Sequence, residues 1–227
     1  MRKNAVIVAG GSGTRMGGGL PKQFRNLCGR PVVWWSVKAV HQEDPSSRII
    51  LVLPEDFVGW WEDFISNLPD NEKIDVIVTT GGSTRSESVM KGLAQIDDGK
   101  DSLVAVHDGA RPLINVRMLA EGWNKAEIYD AAIPVVPVTD SLRKVEGEES
   151  KSVDRSAYVA VQTPQVFKTE LLKEAYRKAE GKTFTDDAAV MEHAGHRIEL
   201  YEGSPENIKI TNPKDMAIAA VIMGENA

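Results

Sequence analysis

Cysteine is almost absent from this chain. Cys28 is the only one in 227 residues, so no intrachain disulfide can form, and a reducing cytoplasm is the expected location. Histidine is scarce as well. Four scattered His and one thiol do not give the ligand spacing of a structural zinc site. No apolar run approaches the ~20 residues that span a bilayer. The strand-like run after Met1-Arg2-Lys3-Asn4 is too short for the apolar region of a signal peptide. Positive charge is in deficit. A net charge of −6 and a pI near 5.3 argue against a general nucleic-acid surface and leave room only for a local basic pocket. A soluble protein that meets neither membrane nor nucleic acid is expected.

Two familiar nucleotide loops are missing. No G-x-x-x-x-G-K-[ST] stretch occurs, which excludes a Walker P-loop. Gly11-x-Gly13 would need a third glycine where Met16 stands, so the dinucleotide fingerprint fails and a nicotinamide-dependent oxidoreductase is disfavoured.

What the chain does have is alternation. Residues 5–9, 49–53, 75–79, 103–107 and 131–138 are short, β-branched and nearly continuously apolar, as strands covered on both faces are. Helical spacing separates them, in 32–40, in Phe57 to Leu68, in Val89, Leu93 and Ile96, and in Met118 to Ala126. Such alternation predicts an α/β fold, a Rossmann-like, mostly parallel sheet flanked by helices, in one domain over 1–227. The pattern breaks at 139–161, rich in charge around Glu146-Gly147-Glu148-Glu149. This segment predicts a β-hairpin arm, either a solvated surface hairpin or a dimerisation element, since a two-stranded ribbon is marginal alone. Helices are predicted at 169–179 and 186–194, and short edge strands at 197–201 and 207–210. A last helix should start at Asn212-Pro213-Lys214-Asp215, with asparagine as cap and proline first. The pairs Trp34-Trp35 and Trp60-Trp61 fit helix packing better than base stacking.

The most telling stretch runs Val6-Ile7-Val8-Ala9-Gly10-Gly11-Ser12-Gly13-Thr14-Arg15-Met16, with Pro21-Lys22-Gln23 close behind. A buried strand enters a glycine-rich turn that is either a flexible turn or a phosphate cradle. Arg15 and Lys22 favour the cradle, because glycines bring backbone N–H groups near phosphate oxygens and the two cations neutralise the rest. The carboxyl edge of a parallel sheet is where such folds bind ligands.

This signature resembles that of the sugar-phosphate nucleotidyltransferases. Further motifs follow in order: Gly81-Gly82-Ser83-Thr84-Arg85-Ser86-Glu87-Ser88-Val89, His107-Asp108-Gly109-Ala110-Arg111-Pro112, Val153-Asp154-Arg155, Gln162-Thr163-Pro164-Gln165, Thr185-Asp186 and Asn207-Ile208-Lys209-Ile210-Thr211. Together, over nearly the whole chain, they resemble the 2-C-methyl-D-erythritol 4-phosphate cytidylyltransferase family of the non-mevalonate isoprenoid pathway. The resemblance implies CTP and methylerythritol 4-phosphate as substrates, CDP-methylerythritol and pyrophosphate as products, Mg²⁺ as cofactor and a homodimer.

It also implies roles. Arg15 and Lys22 would stabilise charge at the α-phosphorus, while the backbone of Ala9, Gly10, Gly11 and Gly13 wraps the phosphates. Gly81, Gly82 and Ser88 would read the cytosine edge; Ser88 has a rival role as a helix cap. Asp108, closing an apolar strand, would hold Mg²⁺. Arg111, Arg155 and Lys209 would bind the acceptor's phosphate, with Ser141, Thr163 and Thr185 beside them, and residues flanking the arm would serve a second subunit's site. Ser83 stands where many family members carry aspartate, so base contacts there would have to come from the main chain. Arg85 reads as a solvated helix residue, and His107 as a hydrogen-bonded structural residue rather than a base. Ribitol 5-phosphate cytidylyltransferase and a non-catalytic nucleotide-binding module remain the alternatives.

Overall fold

A computed structural model describes residues 1–10, 19–97 and 101–225 of the chain. Gly11, Gly13 and Arg15 therefore lie outside the described residues. From the N-terminus come β1 (Arg2–Val8), β2 (Asn26–Leu27), β3 (Arg30–Pro31), α1 (Val32–Glu43), β4 (Arg48–Leu53), α2 (Val58–Ser66), β5 (Ile77–Thr80), α3 (Arg85–Leu93) and β6 (Ser102–Asp108). Next are α4 (Val116–Tyr129), β7 (Ala131–Pro137), β8 (Leu142–Glu146), β9 (Glu149–Val153), β10 (Val159–Val161) and β11 (Gln165–Lys168). The chain finishes with α5 (Thr169–Lys178), α6 (Asp187–His193), β12 (Glu199–Glu202) and α7 (Pro213–Glu225).

The main sheet runs β10-β7-β11-β6-β1-β4-β5, with β12 added along the other edge of β7. β5, β4, β1 and β6 are parallel; β11 and β10 run antiparallel to their neighbours. The near-continuous apolar runs are explained by burial on both faces. Ala5, Ile7, Ile49, Leu51 and Leu53 face α1, α2 and α4, whose Val33, Val37, Trp61 and Leu119 complete one core. Val6, Ile50, Val52, Val104 and Val106 alternate to the opposite face, against α3, α5 and α6. Gly92 lets α3 lie close on that face, since a Cβ there would stand 2.5 Å from Val6 Cγ1.

From β1 the chain works outward through β4 and β5, then returns to the opposite side of β1 at β6. The strand order reverses between β1 and β6, and Val8 lies in register with Asp108 at their carboxyl ends. A crevice at such a switch point is where open α/β sheets bind ligands.

Three expectations are corrected here. The arm is narrower than 139–161: β8 and β9 pair only with each other, but β10 pairs with β7 in the main sheet. β11, absent from the sequence reading, fills the gap between β6 and β7. Between Val161 and Val166 four residues stand against two of β7, so the chain bulges out of the ladder after Gln162, whose N–H still donates to Pro134 O at 2.9 Å. Segment 207–210 is no strand; it is tied to the chain just past the end of β6, where Ile210 N donates to Ala110 O at 2.8 Å. The tryptophans pack as expected: Trp34 and Trp61 are buried, and Trp60 stands edge-on to Phe24. Asn212 caps α7 through Oδ1, which accepts from Lys214 N at 2.9 Å.

Candidate active site

A cavity of about 410 Å³ opens over the carboxyl ends of β1 and β6. Its walls come from Val8 to Gly10, from Lys22 and Gln23, from the Gly82–Arg85 turn with Ser88, and from Asp108, Ala110 and Lys209. The segment after the glycine loop is anchored by two consecutive side chains. Gln23 Nε2 donates to Ala9 O at 2.6 Å, Phe24 stacks on Phe57 in the core, and Lys22 between loop and anchor faces the cavity. Ala9 stays tied to the sheet, its N–H donating to Val52 O at 2.9 Å.

Asp108 is the centre of charge. Its Oδ2 lies 2.8 Å from Lys209 Nζ and 3.6 Å from Arg111 Nε, and its Oδ1 lies 3.4 Å from Arg85 Nε. Burial pushes the Asp108 carboxyl up, yet Arg85, Lys209 and Arg111 outweigh it and hold the group well below the ordinary carboxylate range. Asp108 is thus ionised, and the described cavity walls carry more positive than negative charge in a protein of net charge −6. The cations come from distant segments because each is tied down. Arg111 Nη1 donates to Asn207 O at 2.8 Å, and Asn207 Nδ2 donates to Thr163 O at 2.8 Å, which fixes the strip that carries Lys209.

Beneath the cavity His107 and Thr163 form a buried relay. His107 Nε2 lies 3.0 Å from Arg111 O, which can only accept, so that nitrogen carries the proton. Nδ1 then accepts from Thr163 Oγ1 at 3.0 Å, while that oxygen accepts from Asp108 N at 3.1 Å. His107 is structural, as its place at the end of a buried strand implied, and Thr163 supports the cavity from below rather than lining it. Burial is the main cause that lowers the His107 pKa from 6.5 to about 4. An unfolded chain takes up that proton near pH 6.5; the folded one resists it down to about 4. Stability from this group is full above pH 6.5 and falls with pH, by about 3 kcal/mol in all by pH 4. Urea melts at stepped pH should show that slope. His107→Gln, which keeps a donor and an acceptor but no titrating ring, should flatten it; an unchanged slope would refute the assignment.

The Gly81-Gly82 turn is shaped around Ser88. Ser88 Oγ donates to Thr84 O at 2.9 Å and accepts from Gly82 N at 3.0 Å, which leaves one lone pair toward the cavity. A Cβ at Gly82 would stand 2.3 Å from Glu87 Cβ, so only glycine fits there. Ser88 does not cap the helix. Thr84 does, its side chain accepting from Glu87 N at 3.1 Å, and Glu87 reaches back to Ser83 N at 2.7 Å.

The structure thus gathers Ala9, Gly10, Lys22, Gly82, Ser88, Asp108 and Lys209 around one cavity, with Gly81 and Arg111 directly behind. It does not bring Ser141, Arg155 or Thr185 to that cavity. All three are exposed, and Arg155 donates to Thr139 O at the base of the arm. Sequence reasoning missed Gln23 and Arg85. Arg85 is the first residue of α3, at the positive end of a helix, where a cation is disfavoured unless carboxylates meet it; that misplacement was the available signal. Among the described residues no group of three His, Cys, Asp or Glu could hold a metal ion by itself, and no helix is long and apolar enough to cross a membrane.

A glycine-rich β1 exit, a switch-point crevice and converging cations around a strand-end carboxylate define a nucleotide-handling α/β enzyme of the nucleotidyltransferase class. The family model of IspD, 2-C-methyl-D-erythritol 4-phosphate cytidylyltransferase, matches residues 4–225. The enzyme of that name from Phocaeicola vulgatus is 41% identical over 223 residues, covering 98% of this chain and 100% of its own. That from Clostridium novyi is 38% identical over 228 residues, covering 98% and 97%. The crystal structure of the Thermus thermophilus enzyme superposes with a TM-score of 0.77 at 31% identity, over 96% of this chain and 98% of that one. The chain belongs to the 2-C-methyl-D-erythritol 4-phosphate cytidylyltransferase family.

Proposed function

We propose that this protein joins the cytidylyl group of CTP to 2-C-methyl-D-erythritol 4-phosphate in the non-mevalonate route to isoprenoid precursors. An oxygen of the acceptor phosphate attacks the α-phosphorus, the bond to the β-phosphate's bridging oxygen breaks, and pyrophosphate leaves. The acceptor phosphate is already ionised, so no general base is needed. The work is to hold two anions together and to meet the charge that builds at the α-phosphorus. The observation that carries this reading is Asp108, ionised at the end of β6 among Arg85, Arg111 and Lys209.

Lys22, at the β1 side of the cavity, fits the nucleotide's phosphates, with Arg15 as its partner by family pattern. Arg111 and Lys209, on the β6 side, fit the acceptor phosphate. The remaining lone pair of Ser88 Oγ suits a donor, which cytosine offers in its exocyclic amino group where uracil has a carbonyl. One carboxylate beside a cavity with room for several phosphate groups suits Mg²⁺, which takes its other ligands from phosphate oxygens and water. Asp108 would hold the ion, whose charge would offset that of the triphosphate.

A second copy of the chain completes this reading. Val145 on the arm and Tyr158, Val159 and Val161 along β10 are exposed, which supports a homodimer in which the arm carries Ser141 and Arg155 toward the partner's cavity. A monomer in sedimentation equilibrium would refute the dimer. The exposed thiol of Cys28 is consistent with work in the cytoplasm.

Purified protein with CTP and Mg²⁺, offered methylerythritol 4-phosphate or ribitol 5-phosphate, tests the reaction. Pyrophosphate release with the first is expected. Preference for ribitol 5-phosphate would reassign the acceptor, and no release with either would leave only a binding module.

A further inference from the structure

Arg85 is held by a carboxylate that the reaction above does not use. Asp187, the first residue of α6, is fully buried, and its Oδ2 accepts from Arg85 Nη2 at 2.6 Å. Its Oδ1 accepts from the Tyr176 hydroxyl at 2.5 Å. Neither Asp187 nor Tyr176 lines the cavity, whereas Arg85 does. The two contacts of Arg85 are unequal: 2.6 Å to Asp187 against 3.4 Å to Asp108 Oδ1. The guanidinium is therefore seated on Asp187 and only leans toward Asp108.

The seat is built into the strand that flanks β6. Gln165 of β11 lies opposite Val106, two residues before Asp108. Its Nε2 donates to Asp186 Oδ2 at 2.9 Å, and its Oε1 accepts from Ala188 N at 3.0 Å. Asp186 in turn caps α6 by accepting from Ala189 N at 2.9 Å. The start of α6 is thereby fixed relative to the end of β6, and so is the gap between the two carboxylates that Arg85 bridges.

We propose that Asp187, braced by Tyr176, is a positioning residue that holds Arg85 back from Asp108 and so leaves the Asp108 carboxylate open to a divalent cation. This rests on the reading of Asp108 as the carboxylate that holds the metal. Three cations face Asp108, and a metal ion must compete with all of them for two oxygens. Asp187 neutralises one of the three and claims its stronger bond. Without that charge Arg85 has a single partner, closes on Asp108 Oδ1, and adds an uncompensated positive charge beside the metal's place. An arginine suits the task because its planar fork reaches two carboxylates at once.

The test compares wild type, Asp187→Asn and Tyr176→Phe by calorimetric CTP binding across Mg²⁺ concentrations. Asp187→Asn should raise the Mg²⁺ concentration for half-maximal tight binding about tenfold, ~1.4 kcal/mol. Metal-free CTP binding should stay level or tighten, because the cavity has gained net positive charge. Tyr176→Phe should shift the Mg²⁺ midpoint in the same direction, by roughly two- to threefold, as expected for one lost hydrogen bond to a charged group that keeps its ion pair. A merely structural role would weaken binding with and without metal alike and leave the midpoint in place; that result overturns the proposal. If Asp187→Asn does not fold, Tyr176→Phe decides, and an unmoved midpoint there overturns it as well. Wild-type binding with no Mg²⁺ dependence would overturn the metal reading itself, a failure visible before any variant is compared.

Discussion

Asp108→Asn protein should release pyrophosphate on the order of 10³-fold more slowly than wild type, a loss of about 4 kcal/mol in transition-state stabilisation. Asparagine keeps the shape of the side chain and a carbonyl oxygen, so Lys209 or Arg85 can still donate to it. What disappears is the negative charge that three cations now share. A neutral amide is a poor ligand for Mg²⁺, which prefers carboxylate and phosphate oxygens. The cavity also becomes wholly cationic on its described side, so CTP without metal should bind at least as well as before. Loss in kcat with retained or tighter metal-free nucleotide binding is therefore the expected signature. Stability should drop too, by about 1–3 kcal/mol, because Arg111 keeps Asn207 O but loses its ion pair. Steady-state kinetics against Mg²⁺, beside a urea melt, check both parts. A variant with near-normal kcat and an unmoved Mg²⁺ response would remove Asp108 from the chemistry.

The parallel half of the sheet was legible because its strands are buried on both faces and therefore apolar in every position. The same period then separated 49, 51 and 53 from 50 and 52, and the helices over them carried their own spacing. β11 was not legible. It has four residues, it follows a proline and it passes directly into α5 at Thr169, so no periodicity has room to show. Its place between β6 and β7 comes from long-range antiparallel pairing, which local sequence does not encode. The same holds for β10, which reads as the end of the arm but is recruited by Val135 to Pro137.

In the candidate site, residues that line the cavity were more legible than those that hold them in place. Lys22, Asp108 and Lys209 sit in motifs at strand ends and turns, where polar groups have few structural duties. Arg85 pairs with Asp187 across 102 residues of chain and Gln165 with Asp186 across 21, and each looks alone like an ordinary surface or capping residue. Ser141, Arg155 and Thr185 mark the opposite case. Motif position put them in one group with Arg111 and Lys209, yet within a single chain they stand apart from the cavity. If the arm reaches a partner's cavity, the information that unites Ser141 and Arg155 with it is quaternary, and no reading of one chain's local pattern contains it.

Lys22→Met should lower kcat by about 10²–10³, equivalent to roughly 2.7–4 kcal/mol, with only a modest rise in KM for CTP. Lys22 opens a short turn whose next two residues are locked, Gln23 onto Ala9 O and Phe24 into the aromatic cluster with Phe57 and Trp60. The backbone under Lys22 is therefore fixed by groups the substitution does not touch, and methionine is close in length and tolerates partial exposure. The fold should survive with little change in melting temperature. The split between kcat and KM carries the argument. A lysine that only attracted the triphosphate would bind ground state and transition state alike, and its loss would raise KM with kcat intact. A lysine placed where charge builds at the α-phosphorus gains its full interaction only as the reaction proceeds, so its removal lowers kcat. Lys22→Arg keeps the charge but replaces a compact point with a planar fork, and should recover part of the rate. Full recovery would mean that charge alone matters there. A loss confined to KM would move Lys22 from the reaction to nucleotide capture.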